Sequence, residues 1–362
     1  MRFLNALIPS LEISMGEQRS YNILVLGDSD ENTTTMHRVR ALQRLGHYVE
    51  VFDPERFIYN AKKTGFSNAV HYRTGYVLIQ KSLIRHVKMF LVNSSRQWDI
   101  TWVEGGEMIG SDILCLLKRY CKRGIILYNH DDPTGFRDGN RFYTLRKSLP
   151  YYDICGFVRQ ENIVEAFCLG AKNPIWLMRG YDEKIHSSIA VTCKRNEVIF
   201  VGTNIRGEGR DIFILKMLAN GIKVRIAGNS WMKSRNWVRL EEIFISPAVY
   251  NKDYCQLISE SAMALGLLSK GNRDLVTTRS FEIPACGGVL CAERTSEHSL
   301  LFEDGISAIL WADVEECIEK CNQYLECIDA TNKIRVKGKK TIEKLGVGNE
   351  DTCRTLLSYF EA

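Results

Sequence analysis

The stretch TTRSFEIPACGG, residues 277–288, places a single carboxylate, Glu282, in an apolar helix that opens on two hydroxyls and a guanidinium. Thr277, Thr278 and Arg279 are expected at the helix N-terminus, where free backbone N–H groups already attract anions. A diphosphate suits these groups. Glu282 lies one turn deeper, where its two oxygens can accept hydrogen bonds from the hydroxyls of an adjacent ribose. A glutamate that only complements the helix dipole is the alternative.

The residues before this helix extend the predicted anion site. Pro284 lacks a backbone donor and favours a helix that starts at about Ser280, which leaves the loop SKGNRDLVTT free to face a ligand. A second loop, VGTNIRGEGRD, has glycines without the dinucleotide fingerprint spacing, so a simple turn is its alternative. PAVY is a candidate for contacts to a nucleobase. The further residues predicted to hold the donor are Gly202, Thr203, Arg206, Arg210, Val249, Lys270 and Arg273.

YNHDDPTGF, which follows a buried strand, supplies the candidates for acid–base chemistry. His130 could assist a front-face displacement, Asp131 could be the general base of an inverting reaction, or His130, Asp131 and Asp132 could cap a loop before Pro133. The DSD at 28–30 matches a short metal motif, but a loop role is commoner and no histidine or glutamate completes a site. We therefore predict no metal and no cofactor.

The elements that must position these residues read as two successive α/β sets. The first set opens with a strand–helix–strand unit, made of YNILVLG, a helical segment and YVEVFD. The second set begins at NEVIFVGTN. Ligands of parallel sheets bind outside the carboxyl ends of the strands, where the candidate loops lie. We predict an extension (1–20), two Rossmann-like domains (21–185 and 186–348), and a C-terminal helix (349–362) that crosses back to the first domain.

Composition limits the class of protein. The 362 residues suit two domains, and 45% hydrophobic with 25% charged residues is typical of a soluble globular chain. The net charge of +5 argues only weakly for nucleic acid, and we predict none as a partner. Cys317, Cys321 and Cys327 recur without nearby histidines, which indicates free buried thiols in a reducing cytoplasm. KIRVKGKK near Arg335 is a solvated helix face or a contact with the inner face of a membrane.

The block LLSKGNRDLVTTRSFEIPACGGVLCAERTSEHSLLFEDG resembles the signature of the CgeB-like glycosyltransferases (spore maturation protein family) of the GT-B superfamily. Three other stretches occur in the order expected for this family: NILVLGDSDENTTTMHRVRALQRLGHYVEVFD, YNHDDPTGFRDGNRF and FVGTNIRGEGRD. The resemblance implies two Rossmann-like domains across a cleft, a nucleotide sugar held mainly by the second and an acceptor held mainly by the first.

Residue roles follow from the same resemblance. The superfamily often carries an acidic residue, seven others and a glutamate, which implies that Glu282 holds ribose hydroxyls and that Asp274 approaches the donor sugar. Retaining members usually have glutamate and a glycine-rich turn where this chain has Asp274 and LVTTR. For the acceptor we predict Gly27, Asp28 and Asp132.

The sequence thus predicts a glycosyltransferase that uses a UDP-, GDP- or dTDP-linked sugar. The acceptor is a hydroxyl of a glycan, a lipid-linked saccharide or a protein, and a retaining mechanism is slightly favoured. A nucleotide-sugar epimerase of the same fold and a non-catalytic binding or assembly protein are the alternatives.

Overall fold

Two parallel sheets organise the chain. The structure is a computed structural model that describes residues 19–59, 65–94, 96–190 and 195–361. The strands are β1 (Asn22–Leu26), β2 (Tyr48–Phe52), β3 (Trp98–Glu104), β4 (Cys121–Asn129), β5 (Ile154–Phe157), β6 (Pro174–Trp176), β7 (Arg195–Val201), β8 (Val224–Ala227), β9 (Ser261–Gly266), β10 (Leu290–Glu293) and β11 (Ile309–Trp311). The predicted boundary at 185/186 falls between β6 and β7, and the predicted extension lies almost wholly outside the described residues.

Helices connect the strands and cover both faces of each sheet. They are α1 (Thr34–Arg44), α2 (Pro54–Tyr59), α3 (Gly65–Arg73), α4 (Gln80–Asn93), α5 (Ser111–Lys118), α6 (Tyr143–Ser148), α7 (Gln160–Cys168), α8 (Arg210–Ala219), α9 (Asn251–Glu260), α10 (Arg279–Ala285), α11 (Ser296–Leu301), α12 (Val314–Glu326), α13 (Ile328–Leu345) and α14 (Asn349–Ser358). Short 3-10 turns lie at Val77–Ile79, Leu149–Tyr151, Trp231–Lys233, Trp237–Arg239, Glu241–Ile243 and Lys270–Asn272.

The strand order creates one crevice in each domain. The first sheet has the order β2-β1-β3-β4-β5-β6 and the second β11-β10-β9-β7-β8. The direction of winding reverses between β1 and β3 in the first sheet and between β7 and β9 in the second. Parallel sheets bind ligands at such points, outside the carboxyl ends of the strands. The loops after β1, β3, β7 and β9 are therefore the ones to inspect for a site.

The apolar runs of the strands account for the cores. Each sheet is packed on both faces by a cluster of buried aliphatic and aromatic side chains, as expected for parallel strands that read as continuous hydrophobic runs. Cys317 and Cys321 of α12 are buried as predicted, beside Cys291 of β10, and these three sulfur atoms lie within 4.8 Å of one another. The prediction is wrong for Cys327, which is exposed because it follows the last turn of α12.

The C-terminal helix crosses back to the first domain, as predicted. Cys353, Leu356 and Leu357 of α14 join the apolar cluster that contains Val39 and Leu42 of α1. The chain therefore passes between the domains twice. The two passages lie side by side, since the backbone N–H of Asn349 donates to the carbonyl of Tyr181 at 2.9 Å. No helix among the described residues has the length and apolar character needed to cross a membrane.

Candidate active site in the interdomain cleft

A cavity of about 310 Å³ opens at the crevice of the first sheet, between the loops that follow β1 and β3. It contains two of the three predicted acceptor residues, Gly27 and Asp28, and both predicted catalytic residues, His130 and Asp131. Its lining is Leu26, Gly27, Asp28, Thr33, Thr34, Thr35, Pro54, Glu55, Glu104, Gly105, Gly106, Glu107, Met108, Ile109, His130, Asp131 and Arg141. We call it the first-domain cavity.

Glu104, at the carboxyl end of β3, anchors the floor of this cavity. Its side chain is 3% exposed and lies 2.8 Å from Nη2 of Arg38, while Nε1 of Trp102 donates to it at 2.9 Å. Arg38 also lies over the ring of Tyr128, 4.0 Å from its centre. Burial alone would lower the pKa of Arg38, but Glu104 raises it above its ordinary value. Arg38 and Glu104 thus form a buried ion pair beneath the cavity.

His130 and Asp131 follow β4 and have different surroundings. The His130 side chain is 35% exposed, and Nδ1 lies 3.9 Å from Oε1 of Glu104. Asp131 is paired with Arg141, whose Nη2 lies 3.1 Å from Oδ2. Burial alone would raise the pKa of Asp131, but His130 and Arg141 hold it below its ordinary value. Asp131 is therefore a weak base, and His130 is the less constrained side chain.

The far end of the cavity is acidic. Asp28 and Glu55 line it, and burial together with the neighbouring Asp28 carboxylate raises the pKa of Glu55 to about 7. The DSD segment behaves as a loop, since Asp28 accepts from the backbone N–H of Asp30 at 2.9 Å. Thr33 then caps α1 by accepting from Met36. Hydroxyl-rich ligands suit this end because carboxylates accept hydrogen bonds from hydroxyls.

A second, smaller space separates the domains, and we call it the interdomain recess. It measures about 30 Å³ and brings Thr278 and Glu282 of the second domain against first-domain residues. Its lining is Thr34, His37, Arg38, Tyr128, His130, Arg179, Gly180, Tyr181, Asp182, His186, Thr278, Glu282 and Asn349. His130 lines both this recess and the first-domain cavity.

Glu282 is buried, whereas the predicted ribose role assumed a cleft carboxylate open to solvent. It is 6% exposed because α10 is buried from Ser280 to Ala285. Oε2 accepts from Nη1 of Arg279, and Oε1 lies 3.5 Å from Nε2 of His186. Burial alone would raise the pKa of Glu282, but Arg279 and His186 hold it below its ordinary value.

Arg279 is held by three partners. Besides Glu282, it donates from Nε to the carbonyl of Val201 at 3.2 Å and lies 4.4 Å over the ring of Tyr254. The helix begins at Arg279, one residue before the predicted start. The Arg279 side chain is 34% exposed. It therefore presents a positive charge beside the recess, and its three partners leave it little freedom to reorient.

A buried relay supports the first turn of α10. The N–H of Thr277 donates to Oγ of Ser280 at 3.1 Å, and Oγ of Ser280 lies 2.7 Å from Nε2 of His298. Nδ1 of His298 lies 2.7 Å from the carbonyl of Glu293. Because a carbonyl only accepts hydrogen bonds, Nδ1 carries the proton and donates, and Nε2 accepts from the Ser280 hydroxyl. Burial lowers the pKa of His298 to about 4. His298 is thus a neutral positioning residue behind the site.

Asp274, the predicted contact of the donor sugar, binds two arginines of the first domain. Its side chain is 5% exposed and contacts Arg159 and Arg179, the latter at 2.8 Å. Arg159 also donates to the carbonyls of Asn272 and His130, at 2.6 and 3.1 Å. This arrangement ties the loop before α10 to the loop of His130.

Asp132 and Arg273 were predicted to bind different substrates, yet they form an ion pair. Nη2 of Arg273 lies 2.6 Å from Oδ1 of Asp132, and Nη1 lies 2.8 Å from Oε1 of Glu165. Asn162 completes the set by donating to Asp132 at 2.7 Å. Asp132 does not line the first-domain cavity, because its carboxylate is turned towards the second domain.

The other predicted donor residues lie around the loops after β7 and β9. Arg210 is buried and donates to the carbonyls of Thr203 and Leu268, each at 2.8 Å. Its guanidinium is therefore already hydrogen-bonded within the second domain. The carbonyl of Gly202 accepts from Nε1 of Trp231 at 2.8 Å. Arg206 is exposed, Val249 is half-buried against the core, and Lys270 is exposed near Glu293.

The structure adds residues that the sequence analysis did not single out, chiefly Glu104, Arg141, Arg159, Arg179 and His186. One signal was available for Glu104: a carboxylate that ends a buried strand and precedes two glycines. Gly105 and Gly106 have φ of 73° and 82°, which favour glycine, and both line the cavity beside Glu104. No signal in the sequence marked Arg141, Arg159 and Arg179 as part of the site, because most of their partners are distant in sequence.

The fold is that of GT-B glycosyltransferases. Solved structures with the same two-domain arrangement include HepE from Anabaena in complex with UDP and glucose (13% identity, TM-score 0.62, 93% of this chain and 100% of that chain). Two others are a sucrose-phosphate synthase from Thermosynechococcus elongatus (10%, 0.64, 93% and 98%) and a UDP-forming alpha,alpha-trehalose-phosphate synthase from Burkholderia xenovorans (12%, 0.61, 95% and 100%). No curated protein was matched by sequence.

Residues 210–346 match the family model described as Glycosyl transferase-like. The matched segment runs from α8 to α13 and includes the loop before α10, with Asp274, Arg279 and Glu282. The resemblance predicted from the sequence is thus confirmed at the level of a glycosyl transferase-like domain on a GT-B fold.

Proposed function

We propose that this protein transfers a sugar from a nucleotide-sugar donor, held mainly by the second domain, to a hydroxyl of a saccharide, lipid-linked or protein acceptor. The observation that carries the proposal is the position of His130. It is one of the two predicted catalytic residues, and it lines both the interdomain recess that contains Glu282 and the first-domain cavity. A sugar in transfer between the two spaces would pass this side chain.

The donor half of the proposal rests on α10. Arg279 and the loop through Thr277 and Thr278 offer positive charge and hydrogen-bond donors to a diphosphate, and Glu282 offers acceptors to ribose hydroxyls. HepE, a structure of the same fold, was solved with UDP and with UDP-glucose, which supports a UDP-linked sugar as the first donor to test.

Donor binding requires the recess to widen. Small-molecule sites usually measure about 300 to 1,000 Å³, and the recess measures only about 30 Å³. Asp274 of the second domain binds Arg179, which lines the recess, and Arg273 binds Asp132 of the first domain. We propose that these interdomain ion pairs separate as the donor enters, which frees Asp274 to approach the donor sugar.

The acceptor half rests on the first-domain cavity. Its volume and its carboxylates suit a saccharide, whose hydroxyls are hydrogen-bond donors. An epimerase acting on the nucleotide sugar alone would have no use for a second space of this size beside His130. The cavity therefore favours transfer over epimerisation.

Retention of anomeric configuration is the stereochemistry we propose. Inversion needs a general base within reach of the acceptor hydroxyl, and Asp131 is the base that the sequence analysis offered for that reaction. Its pairing with Arg141 and its lowered pKa make it a poor proton acceptor. His130 would instead contact the transferring sugar during a front-face displacement.

Thermal unfolding with a panel of UDP-, GDP- and dTDP-linked sugars tests donor binding, since a ligand that binds only the folded state raises its stability by about 2.7 kcal/mol at a hundred times its Kd. We expect one donor to raise Tm in the wild type and in Glu315→Gln, an exposed carboxylate of α12, but far less in Glu282→Gln. No shift with any nucleotide sugar would contradict the proposal.

Transfer itself is tested by incubating that donor with saccharide acceptors and measuring nucleoside diphosphate release. Release that depends on an acceptor supports transfer. Release without any acceptor would favour the epimerase, and binding without turnover would favour a non-catalytic protein.

A further inference from the structure

A long stretch of the first domain contains no acidic residue. Residues 56–98 include Arg56, Lys62, Lys63, Arg73, Lys81, Arg85, Lys88 and Arg96 and neither aspartate nor glutamate. The chain as a whole carries 43 acidic against 48 basic residues, so this stretch concentrates positive charge far beyond the average. A cluster of this kind attracts anionic partners.

The helix α4 arranges three of these charges on one face. Lys81, Arg85 and Lys88 are exposed, and the spacings of four and three residues align them along the helix. Leu83, Val87 and Leu91 form the opposite face and are buried in the first core. No ion pair within the described part of the chain involves the three exposed cations. Their charge is available to a partner.

Large apolar side chains are interleaved with these cations. Met89 and Val92 of α4 are 59% and 58% exposed, and Leu78, just before the helix, is 64% exposed. At 100° per residue, Val92 falls within one quarter-turn of Lys81 and Met89 lies at its edge, and Leu78 lies in the 3-10 turn that leads into the helix. The stripe is thus cationic and apolar at once. We call the six side chains, Leu78, Lys81, Arg85, Lys88, Met89 and Val92, the α4 stripe.

We infer that the α4 stripe binds the surface of a membrane that contains anionic lipids. Basic side chains are drawn to anionic headgroups, and apolar side chains on the same helix face enter the boundary with the acyl chains. Nucleic acid would satisfy the charges but would leave the exposed leucine, methionine and valine without a favourable partner. The combination favours lipid.

The stripe also adjoins the first-domain cavity. Nε2 of Gln80, the first residue of α4, donates to the carbonyl of Met108 at 3.0 Å, and Met108 lines that cavity. Membrane binding would therefore bring the cavity close to the lipid surface. The inference itself rests on exposure and charge and does not depend on the proposed transferase activity.

Co-sedimentation of the full chain with vesicles tests it. We expect the wild type to pellet with vesicles of equal parts phosphatidylcholine and phosphatidylglycerol and to remain in solution with phosphatidylcholine alone. The Lys81→Glu/Arg85→Glu/Lys88→Glu variant should bind at least about a hundredfold more weakly, from the usual contribution of each basic residue near an anionic surface. Met89→Ser/Val92→Ser should bind at least about tenfold more weakly, because it removes the apolar part.

Lys333→Glu/Lys337→Glu/Lys340→Glu is the matched control. It makes the same change of charge on the exposed face of α13, in the basic run that the sequence also offered as a membrane contact. We expect it to bind as the wild type does, and Tm of every variant checks folding. Three results would overturn the inference. The two triple variants could lose vesicle binding equally, or Met89→Ser/Val92→Ser could bind vesicles as the wild type does. The third is a wild type that binds single-stranded RNA and not vesicles.

Discussion

Arg273 of the second domain holds both carboxylate oxygens of Asp132 of the first: Nε lies 2.7 Å from Oδ2 and Nη2 lies 2.6 Å from Oδ1. The Asp132 side chain is 4% exposed, whereas that of Arg273 is 34% exposed. The pair is one of several contacts between the two domains, so it contributes to how strongly they are held together.

Arg273→Ala should lower the free energy of unfolding by about 1 to 3 kcal/mol, because it leaves a buried carboxylate with fewer partners. It should also make the cleft easier to open, which chemical denaturation together with small-angle scattering can measure. Arg294→Ala, which removes exposed ion pairs within the second domain, is the control and should cost under about 1 kcal/mol. Equal effects would show that the pair across the cleft has no special weight.

Stability should fall as the pH drops from 6.5 towards about 4 because of His298, whose pKa is lowered from 6.5 to about 4 by burial. Its contribution is complete above 6.5 and is lost as the unfolded chain takes up a proton that the folded chain refuses. His298→Gln should flatten the slope of unfolding free energy in this window. An unchanged slope, measured by denaturation at several pH values, would mean that His298 is protonated in the folded protein.

His130→Ala should reduce turnover by at least about a hundredfold with little change in donor affinity, as expected for a residue that acts on the reacting groups. Asp131→Asn should keep appreciable activity, because the Asp131 carboxylate is committed to Arg141. The anomeric configuration of the product, read by NMR, checks the mechanism independently. A β-product from an α-donor, or the reverse order of the two variants, would favour inversion.

Glu282→Ala should weaken donor binding by about 2 to 4 kcal/mol, the usual cost of losing a charged hydrogen-bonding partner. Because Glu282 is buried beside Arg279, it should also lower Tm. Glu282→Gln keeps the size of the side chain and separates the two effects, with calorimetry for donor affinity and thermal unfolding for stability. Donor affinity that stays at the wild-type value in both variants would overturn the ribose role.

Transfer should persist in excess EDTA. The charge that develops on a departing diphosphate needs neutralisation, and Arg279 and the loop before it can supply it. Arg279→Ala should then lower turnover even at saturating donor. Activity that EDTA abolishes and magnesium or manganese restores would assign this task to a metal ion instead.

The fold was readable from the sequence because its signals are local. Apolar runs ended by glycine marked β1 and β7, and alternation with helical periods predicted parallel sheets and a crossing C-terminal helix. Within the site, His130 and Glu282 were singled out from a strand end and a helix start, which are also local signals, and both line the interdomain recess.

The partners of those residues were not readable. Asp132 and Arg273 each looked like ligands for a substrate, yet each neutralises the other from a different domain. Asp274 likewise binds Arg159 and Arg179. Such pairs depend on how two sheets face each other, which no pattern of neighbouring residues records. Glu282 was expected in a cleft open to solvent, because periodicity does not show how deeply a short helix packs.

The packing of α14 on α1 affects how the protein is made. A chain emerging from the ribosome forms the first sheet early, but Val39 and Leu42 contact Cys353, Leu356 and Leu357 only after α14 has been translated. Until then an apolar face of the amino-terminal half remains uncovered. A nascent chain that stalls in the second domain would expose this apolar face to aggregation or to chaperones, so translation of α14 completes the core of a domain whose first strand begins at Asn22.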